Sequence, residues 1–138
     1  YLKEYPNKSS MEEIYKKANI ISLHIPLTSE TTYLVNKKFI EQFKNPIYLI
    51  NTSRGKCVNT KDLISAIKNE DIKGACLDVL EYEKDSFEEI VQKGKNSNME
   101  YLTNSEKVIL SPHIAGWSIE SHLKIAQVLL RKIICDFD

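Results

Sequence analysis

Charged side chains suited to proton transfer follow three separate apolar runs of this sequence. Arg54 comes after the first run, Asp78, Glu81 and Glu83 come at or after the end of the second, and His113 comes after the third. The runs are residues 47–51, 75–79 and 108–110. An arginine binds carboxylates through two parallel hydrogen bonds, and a histidine exchanges protons near neutral pH. These residue types are the ingredients of acid–base chemistry on an anionic substrate.

Each of these residues also has a plainer interpretation. An arginine in a loop is usually a solvated charge, a lone histidine is more often a hydrogen-bonded structural residue, and Glu83 belongs to a charged run typical of a wet surface. The convergence of all three after successive apolar runs favours a site. Gly55, directly after Arg54, permits a positive φ or a close backbone approach, so a ligand could lie against this turn.

The apolar runs are predicted to be strands that alternate with helices. β-Branched residues and a stop at Pro26 predict a strand over 20–25, and the three runs above predict three more. Helices are predicted from the capping box at Ser10 to about Ala18, from Asn36 through Phe43 to before Pro46, from Asn59 or Thr60, and from Ser118 over about five turns.

Strands separated by helix-sized segments predict an open α/β fold with a parallel sheet. Near-continuous apolar strands predict that both faces of this sheet are covered. Such sheets bind ligands at the carboxyl ends of their strands. One edge of the sheet should therefore carry Arg54, a carboxylate and His113.

Composition excludes several classes of protein and site. With 138 residues and 42% hydrophobic content, the chain can bury one core. Nineteen basic residues balance nineteen acidic ones, so neither nucleic acid nor an anionic membrane is an expected partner. Three widely spaced cysteines and the lack of a long apolar run favour the cytoplasm. No metal is predicted, because His24, His113 and His122 lack ligand-like spacing to other donors.

Four segments, in this order, resemble the NAD-binding domain of the D-isomer-specific 2-hydroxyacid dehydrogenases. This family includes D-lactate dehydrogenases, D-3-phosphoglycerate dehydrogenases and glyoxylate or hydroxypyruvate reductases. The segments are HIPLTSET (24–31), INTSRG (50–55), GACLDVLEYE (74–83) and SPHIAG (111–116). The resemblance covers the chain from about Ser10 onward. It implies a Rossmann-like sheet and an NAD-dependent enzyme that interconverts a D-2-hydroxy acid and a 2-oxo acid.

The resemblance assigns catalytic roles to three residues. Arg54 would bind the carboxylate of the small 2-oxo or 2-hydroxy acid and polarise the neighbouring carbonyl. His113 would be the general acid/base that gives a proton to the carbonyl oxygen as the nicotinamide delivers hydride. Glu83, five positions after Asp78, would pair with this histidine, fix its ring and raise its pKa.

The resemblance also implies a set of cofactor contacts. Asp78 is expected to bond the nicotinamide carboxamide or ribose. The other expected contacts are Ile25, Pro26, Thr31, Thr52, Ser53, Arg54, His113 and Gly116. The expected cofactor is NAD, and NADP stays open because the acidic residue that discriminates them would precede this chain. Trp117 either lines the substrate pocket or packs under the start of the last helix.

A glycine-rich phosphate-binding turn is missing from the sequence. A dinucleotide-binding domain opens with a G-x-G-x-x-G turn, and none of the four glycines forms one. Residues 1–138 are therefore interpreted as the second half of a Rossmann-like NAD-binding domain with a long C-terminal helix, without the glycine-turn half and without the substrate domain. Alone, this chain should bind NAD poorly and turn over little. At full length we expect a homodimer.

The connection between the third and fourth predicted strands is long, and it bears on which dehydrogenase the sequence resembles. Residues 84–110 exceed a usual loop, with a short helix predicted around Phe87, Ile90 and Val91 and a polar loop over 93–98. Comparable insertions in lactate-type relatives favour a small-acid dehydrogenase. A co-repressor-like module that senses NAD without catalysis, and an inactive remnant of a truncated gene, both stay open.

Overall fold

The computed structural model describes residues 8–82 and 97–137, which form a parallel sheet of four strands with five helices. The strands are β1 (Ile20–Leu23), β2 (Ile47–Asn51), β3 (Ile72–Leu77) and β4 (Val108–Leu110). The helices are α1 (Met11–Lys17), α2 (Lys37–Ile40), α3 (Thr60–Lys68), α4 (Ser97–Asn104) and α5 (Ile119–Phe137), and Gly55–Cys57 forms a 3-10 turn.

Strand order in the sheet follows the chain, β1-β2-β3-β4, and each neighbouring pair is parallel. Leu23, Asn51, Leu77 and Leu110 are register partners, and each is the last residue of its strand. The carboxyl ends of the strands therefore form one edge. The predicted α/β fold with a parallel sheet is confirmed.

The core lies on one face of the sheet. Ile47 and Leu49 of β2 pack with Leu63 and Ile67 of α3 and with Leu102 of α4, each exposed at 1% or less. Residues two apart on a strand point to the same side, so the two β2 residues belong to one face. Burying each such side chain contributes about 1.5–3 kcal/mol. This packing fixes the sheet that carries the loops at its carboxyl edge.

The opposite face is open within the described residues. Ile20, Tyr48 and Ile109 are exposed at 60%, 49% and 66%, and alternation along the strands places them away from the core. The prediction that both faces are covered is therefore wrong for the part of the chain that the structure describes. The strands are apolar as predicted, but α3 and α4 both contribute to the one core, on the face opposite to Ile20, Tyr48 and Ile109.

Short polar side chains set the starts of the first three helices. Ser10, Asn36 and Asn59 each accept a hydrogen bond, at 3.1–3.2 Å, from the backbone N–H three residues later. These three predicted helix starts are confirmed. The predicted extent of α2 is wrong, because it ends at Ile40 and Phe43 lies in the following turn, with its N–H donating to the Ile40 carbonyl at 3.2 Å.

Two predicted strand boundaries are also wrong. β1 ends at Leu23 rather than at Ile25, because its partner β2 ends at Asn51, where the ladder stops. β3 spans Ile72–Leu77 rather than 75–79, since pairing with β2 begins at its first residue. β3 therefore begins and ends earlier along the chain than its apolar composition suggests, whereas β1 only ends earlier.

The long connection contains a helix that was not predicted. α4 begins at Ser97, inside the stretch 93–98 predicted as polar loop, and it is held by the buried side chains Met99 and Leu102. The helix predicted around Phe87 lies outside the described residues.

The last helix begins where the sequence predicts. The Ser118 hydroxyl accepts a hydrogen bond from the Ser121 N–H at 3.0 Å, one residue before α5 starts. Its apolar side chains up to Ile134, Leu123 and Leu130 among them, are exposed. Trp117 is 77% exposed, so packing under the start of α5 is not seen among the described residues. Within the same residues, no helix is both long enough and apolar enough to span a bilayer.

Candidate active site

The loops that follow β2, β3 and β4 meet along the carboxyl edge of the sheet. Since the last residues of these strands are register partners, the loops leave the sheet at the same level. Arg54 lies three residues beyond the end of β2, Asp78 one residue beyond β3, and His113 three residues beyond β4. The structure thus brings these three predicted site residues to one edge. Glu83 lies outside the described residues.

Arg54 stands at the start of the 3-10 turn after β2 and is exposed. Its Nη1 donates a hydrogen bond of 2.6 Å to the carbonyl of the neighbouring Ser53. Ser53 is buried, whereas Thr52 is half-buried. An exposed guanidinium next to a buried turn can direct its N–H donors, which lie in one plane, at an anion that arrives from solvent.

The Asp78 carboxylate organises the loop that carries His113. Its Oδ1 accepts hydrogen bonds from the Ser111 hydroxyl at 2.6 Å and from the Ile114 N–H at 2.9 Å, and its Oδ2 accepts one from the Ala115 N–H at 2.9 Å. The side chain is only 5% exposed. Three donors on one carboxylate tie the loop after β4 to the end of β3.

Asp78 is therefore held as an anion. Burial alone raises the pKa of its carboxyl, but the hydrogen bonds from Ser111, Ala115 and Ile114, together with the nearby charge of His113, outweigh burial and lower the pKa below its ordinary value. An ionised Asp78 is the form that accepts all three hydrogen bonds. Any contact to nicotinamide, as the sequence suggests, would be shared with this internal role.

His113 has an unusual backbone conformation for a residue with a side chain. Its φ is 56°, in the left-handed region, and its N–H donates to the carbonyls of Asp78 at 2.9 Å and Ser111 at 3.0 Å. Its imidazole is exposed at the sheet edge. A non-glycine residue held at positive φ is strained, and such strain concentrates at functional sites.

Glu81 makes two hydrogen bonds that the sequence does not indicate. It belongs to the same charged run as Glu83, which is typical of a wet surface, yet its carboxylate accepts hydrogen bonds from the Tyr33 hydroxyl at 2.7 Å and from the Thr60 N–H at 3.1 Å. The hydrogen bond to Glu81, followed by its negative charge, raises the pKa of the Tyr33 phenol. These bonds join the loop after β1, the loop after β3 and the first residue of α3. Because they span 21 and 48 positions along the chain, no local spacing signals them.

The expected cofactor contacts line the same edge. The Thr31 hydroxyl donates to the Pro26 carbonyl at 2.7 Å and folds the loop after β1 onto itself. Ile25 and Thr31 are half-buried and Pro26 is exposed, so apolar and hydroxyl groups face solvent there. A Cβ added at Gly116 would meet nothing within 4 Å.

No metal centre is visible in the described residues. Across 8–82 and 97–137, no group of three or more His, Cys, Asp or Glu side chains is placed to hold an ion. Cys57 is buried in the core and Cys76 is half-buried.

Comparison with known proteins identifies the family. Residues 2–115 match the model of the D-isomer specific 2-hydroxyacid dehydrogenase NAD binding domain. An aromatic 2-oxoacid reductase of Clostridium sporogenes is 32% identical over 133 residues, covering 95% of this chain and 40% of the relative. A glyoxylate reductase of Thermofilum pendens is 36% identical over 126 residues, covering 91% and 34%.

A solved structure has the same fold. The NAD-complexed form of the D-isomer specific 2-hydroxyacid dehydrogenase from Lactobacillus delbrueckii ssp. bulgaricus superimposes with a TM-score of 0.76 at 30% identity, over 90% of this chain and 38% of that one. The chain thus spans well under half the length of these similar proteins. By its sequence motifs, its sheet and its family match, the chain belongs to the D-isomer-specific 2-hydroxyacid dehydrogenases and corresponds to part of their NAD-binding domain.

Proposed function

We propose that the protein carrying this chain is an NAD-dependent oxidoreductase that interconverts a D-2-hydroxy acid and a 2-oxo acid. The observation that carries the proposal is the shared sheet edge, where an exposed arginine and an exposed histidine follow β2 and β4. Asp78 binds the histidine loop through its carboxylate and the end of β2 through its backbone N–H. The names of the similar proteins, an aromatic 2-oxoacid reductase and a glyoxylate reductase, support a 2-oxo acid as the substrate class.

In the proposed reaction, each residue acts on one part of the substrate. Arg54 binds the carboxylate through two hydrogen bonds and withdraws electron density from the adjacent carbonyl. His113, in its imidazolium form, donates a proton to the carbonyl oxygen. NADH, when bound, supplies the hydride to the carbonyl carbon. The product is the 2-hydroxy acid, and the reverse reaction returns the proton to neutral His113.

Glu83 is proposed as the carboxylate that favours the imidazolium form. It follows the third strand in the motif that the family match includes. A carboxylate beside an imidazole orients the ring and raises its pKa. This role would hold the His113 imidazole ready for proton transfer to the carbonyl oxygen.

NAD is the proposed cofactor, contacted by the loops after β1, β2 and β4. Thr31, Thr52 and Gly116 lie on these loops. The glycine turn that receives a pyrophosphate is not among the 138 residues, so these contacts are proposed for the nicotinamide half.

Hydride transfer to a panel of 2-oxo acids tests the proposal. Pyruvate, glyoxylate, phenylpyruvate and hydroxypyruvate would be offered with NADH to the full-length protein, and NADH loss would be followed by absorbance. Turnover with one or more acids is expected. NADH binding without turnover of any acid would contradict the enzyme and favour a binding module of the co-repressor type.

A cytoplasmic homodimer is the proposed state of the full-length protein. The exposed apolar side chains of α5, including Leu123 and Leu130, are the kind of surface that further polypeptide covers. Light scattering coupled to gel filtration would measure the mass, and a monomer at micromolar concentration would contradict the dimer.

A further inference from the structure

Asn51 is a polar residue in a fully buried position. It ends β2, between β1 and β3, where its neighbours in register are Leu23 and Leu77. Both adjacent strands hold it, and its carbonyl accepts a hydrogen bond of 3.0 Å from the Asp78 N–H. Burying an amide side chain is unfavourable unless its groups are bonded, so the bonds that it makes explain its presence.

The Asn51 amide closes the turn that presents Arg54. Its Oδ1 accepts from the Ser53 N–H at 3.1 Å and from the Ser53 hydroxyl at 2.9 Å, while its Nδ2 donates to the Arg54 carbonyl at 3.0 Å. The side chain thus bonds the two residues that follow Thr52. It transfers the rigidity of the sheet to the backbone of the turn.

Among residues 8–82 and 97–137, little else fixes the guanidinium. Arg54 is exposed, and the side-chain bond recorded for it among the described residues is to the adjacent Ser53 carbonyl, which belongs to the same turn. The direction in which Arg54 points therefore depends on the turn conformation. That conformation depends on the buried amide.

We propose that Asn51 is the positioning residue for Arg54, holding the turn so that the guanidinium receives the carboxylate of the substrate. The inference rests on the proposed function, since it assumes that Arg54 binds a 2-oxo acid. Asn51 would act through the backbone of the turn rather than by contact with the substrate.

Asn51→Asp is the sharpest test, because it changes one atom of the amide. The aspartate keeps an oxygen that accepts both hydrogen bonds from Ser53. When ionised, however, it places a second oxygen against the Arg54 carbonyl oxygen, at the position where the Asn51 amide donates a hydrogen bond. When protonated, its O–H can donate to that carbonyl again. Burial raises the pKa of such a carboxyl, so the repulsive form should appear as the pH is raised.

The measurement is the Kd of oxamate, an unreactive 2-oxo acid analogue, for the full-length protein with NADH bound. Relative to wild type, Asn51→Asp should bind oxamate about tenfold more weakly near pH 8, and the ratio should shrink toward one near pH 5. The Kd of NADH should change less than the Kd of oxamate, because the loops after β1 and β4 are also proposed to contact the cofactor. An affinity loss that follows ionisation of the carboxylate in Asn51→Asp, in a protein that stays folded and with no such loss in Leu49→Ala, would point to the turn rather than to general destabilisation.

Ser53→Ala and Leu49→Ala are the matched variants. Ser53→Ala removes one of the three Asn51 bonds and should weaken oxamate binding by about two- to threefold, which keeps the test open if Asn51→Asp does not fold. Leu49→Ala, buried on the same face of β2, should lower the melting temperature but leave oxamate affinity unchanged. Unchanged oxamate affinity in folded Ser53→Ala and Asn51→Asp would overturn the inference. Oxamate binding without turnover of any acid would contradict the proposed reaction but not the positioning role of Asn51.

Discussion

The Cα of Gly55 lies against the backbone of Leu80. A Cβ added to Gly55 would stand 1.8 Å from the Leu80 carbonyl oxygen and 2.0 Å from its carbon, far inside any allowed contact. The loop after β2, which carries Arg54, is thereby packed backbone to backbone against the loop after β3. Of the two reasons for a glycine that the sequence leaves open, the structure shows close approach.

Gly55→Ala is expected to destabilise the protein by about 1–3 kcal/mol, because one of two backbone segments must move to admit a methyl group. Gly116→Ala is the matched control, since a Cβ there meets nothing within 4 Å, and its effect should stay within about 0.5 kcal/mol. Urea unfolding of the full-length protein measures both. Equal free energies of unfolding for the two variants would contradict the close packing.

Acid should release the loop that Asp78 holds. Because its pKa is lowered in the folded protein, the carboxylate contributes stability above the ordinary Asp pKa of about 3.9, and this contribution is lost as the pH falls through the lowered pKa. Asp78→Asn lacks this titration and leaves a donor unpaired, at a cost of about 1–3 kcal/mol near neutral pH.

The pH dependence of unfolding checks this expectation. The difference in free energy of unfolding between wild type and Asp78→Asn should be constant above about pH 5 and should narrow below about pH 4. A difference that is unchanged down to about pH 3 would show that the Asp78 carboxylate is not held as an anion by its loop.

Arg54→Ala should impair both substrate affinity and rate. Without the guanidinium, the substrate carboxylate loses its bidentate partner and the carbonyl loses polarisation, so kcat/KM should fall by about a hundredfold or more. Arg54→Lys keeps the charge but loses the planar fork, and should recover only part of the loss. Full recovery by lysine would mean that charge alone matters. The assay is steady-state NADH oxidation by the full-length protein.

His113→Ala should mainly lower the rate. Removing the proton donor is expected to reduce kcat by about 10²–10⁴-fold, with a small change in KM. The pH profile of kcat/KM should also lose the limb that reports the imidazolium. Near-normal turnover by this variant would make the proton-transfer assignment wrong. Its circular dichroism spectrum should match wild type, since the hydrogen bonds recorded for this residue with Asp78 and Ser111 use its backbone N–H.

Local patterns predicted the elements that depend on local chemistry. The run IYLIN gives β2 with its observed bounds, and Ser10, Asn36 and Asn59 give helix starts, because strand alternation and N-cap bonds involve neighbouring residues. The observed bounds of β1 and β3 differ from those predicted for the opposite reason. They are set by where pairing with the partner strand begins and stops, and the sequence of one strand does not contain that information.

The sequence by itself determined the alternation of the four strands with the helices other than α4, the family, and the position of Arg54, Asp78 and His113 at or after strand ends. It could do so because motifs and periodicity depend on residues that are close together along the chain. Only the tertiary structure decided that Asp78 binds its neighbouring loop, that Glu81 joins Tyr33 to Thr60, and that Gly55 meets Leu80. These contacts link residues 20 or more positions apart, and hydrogen bonds and steric exclusion depend on distance in space rather than on separation along the chain.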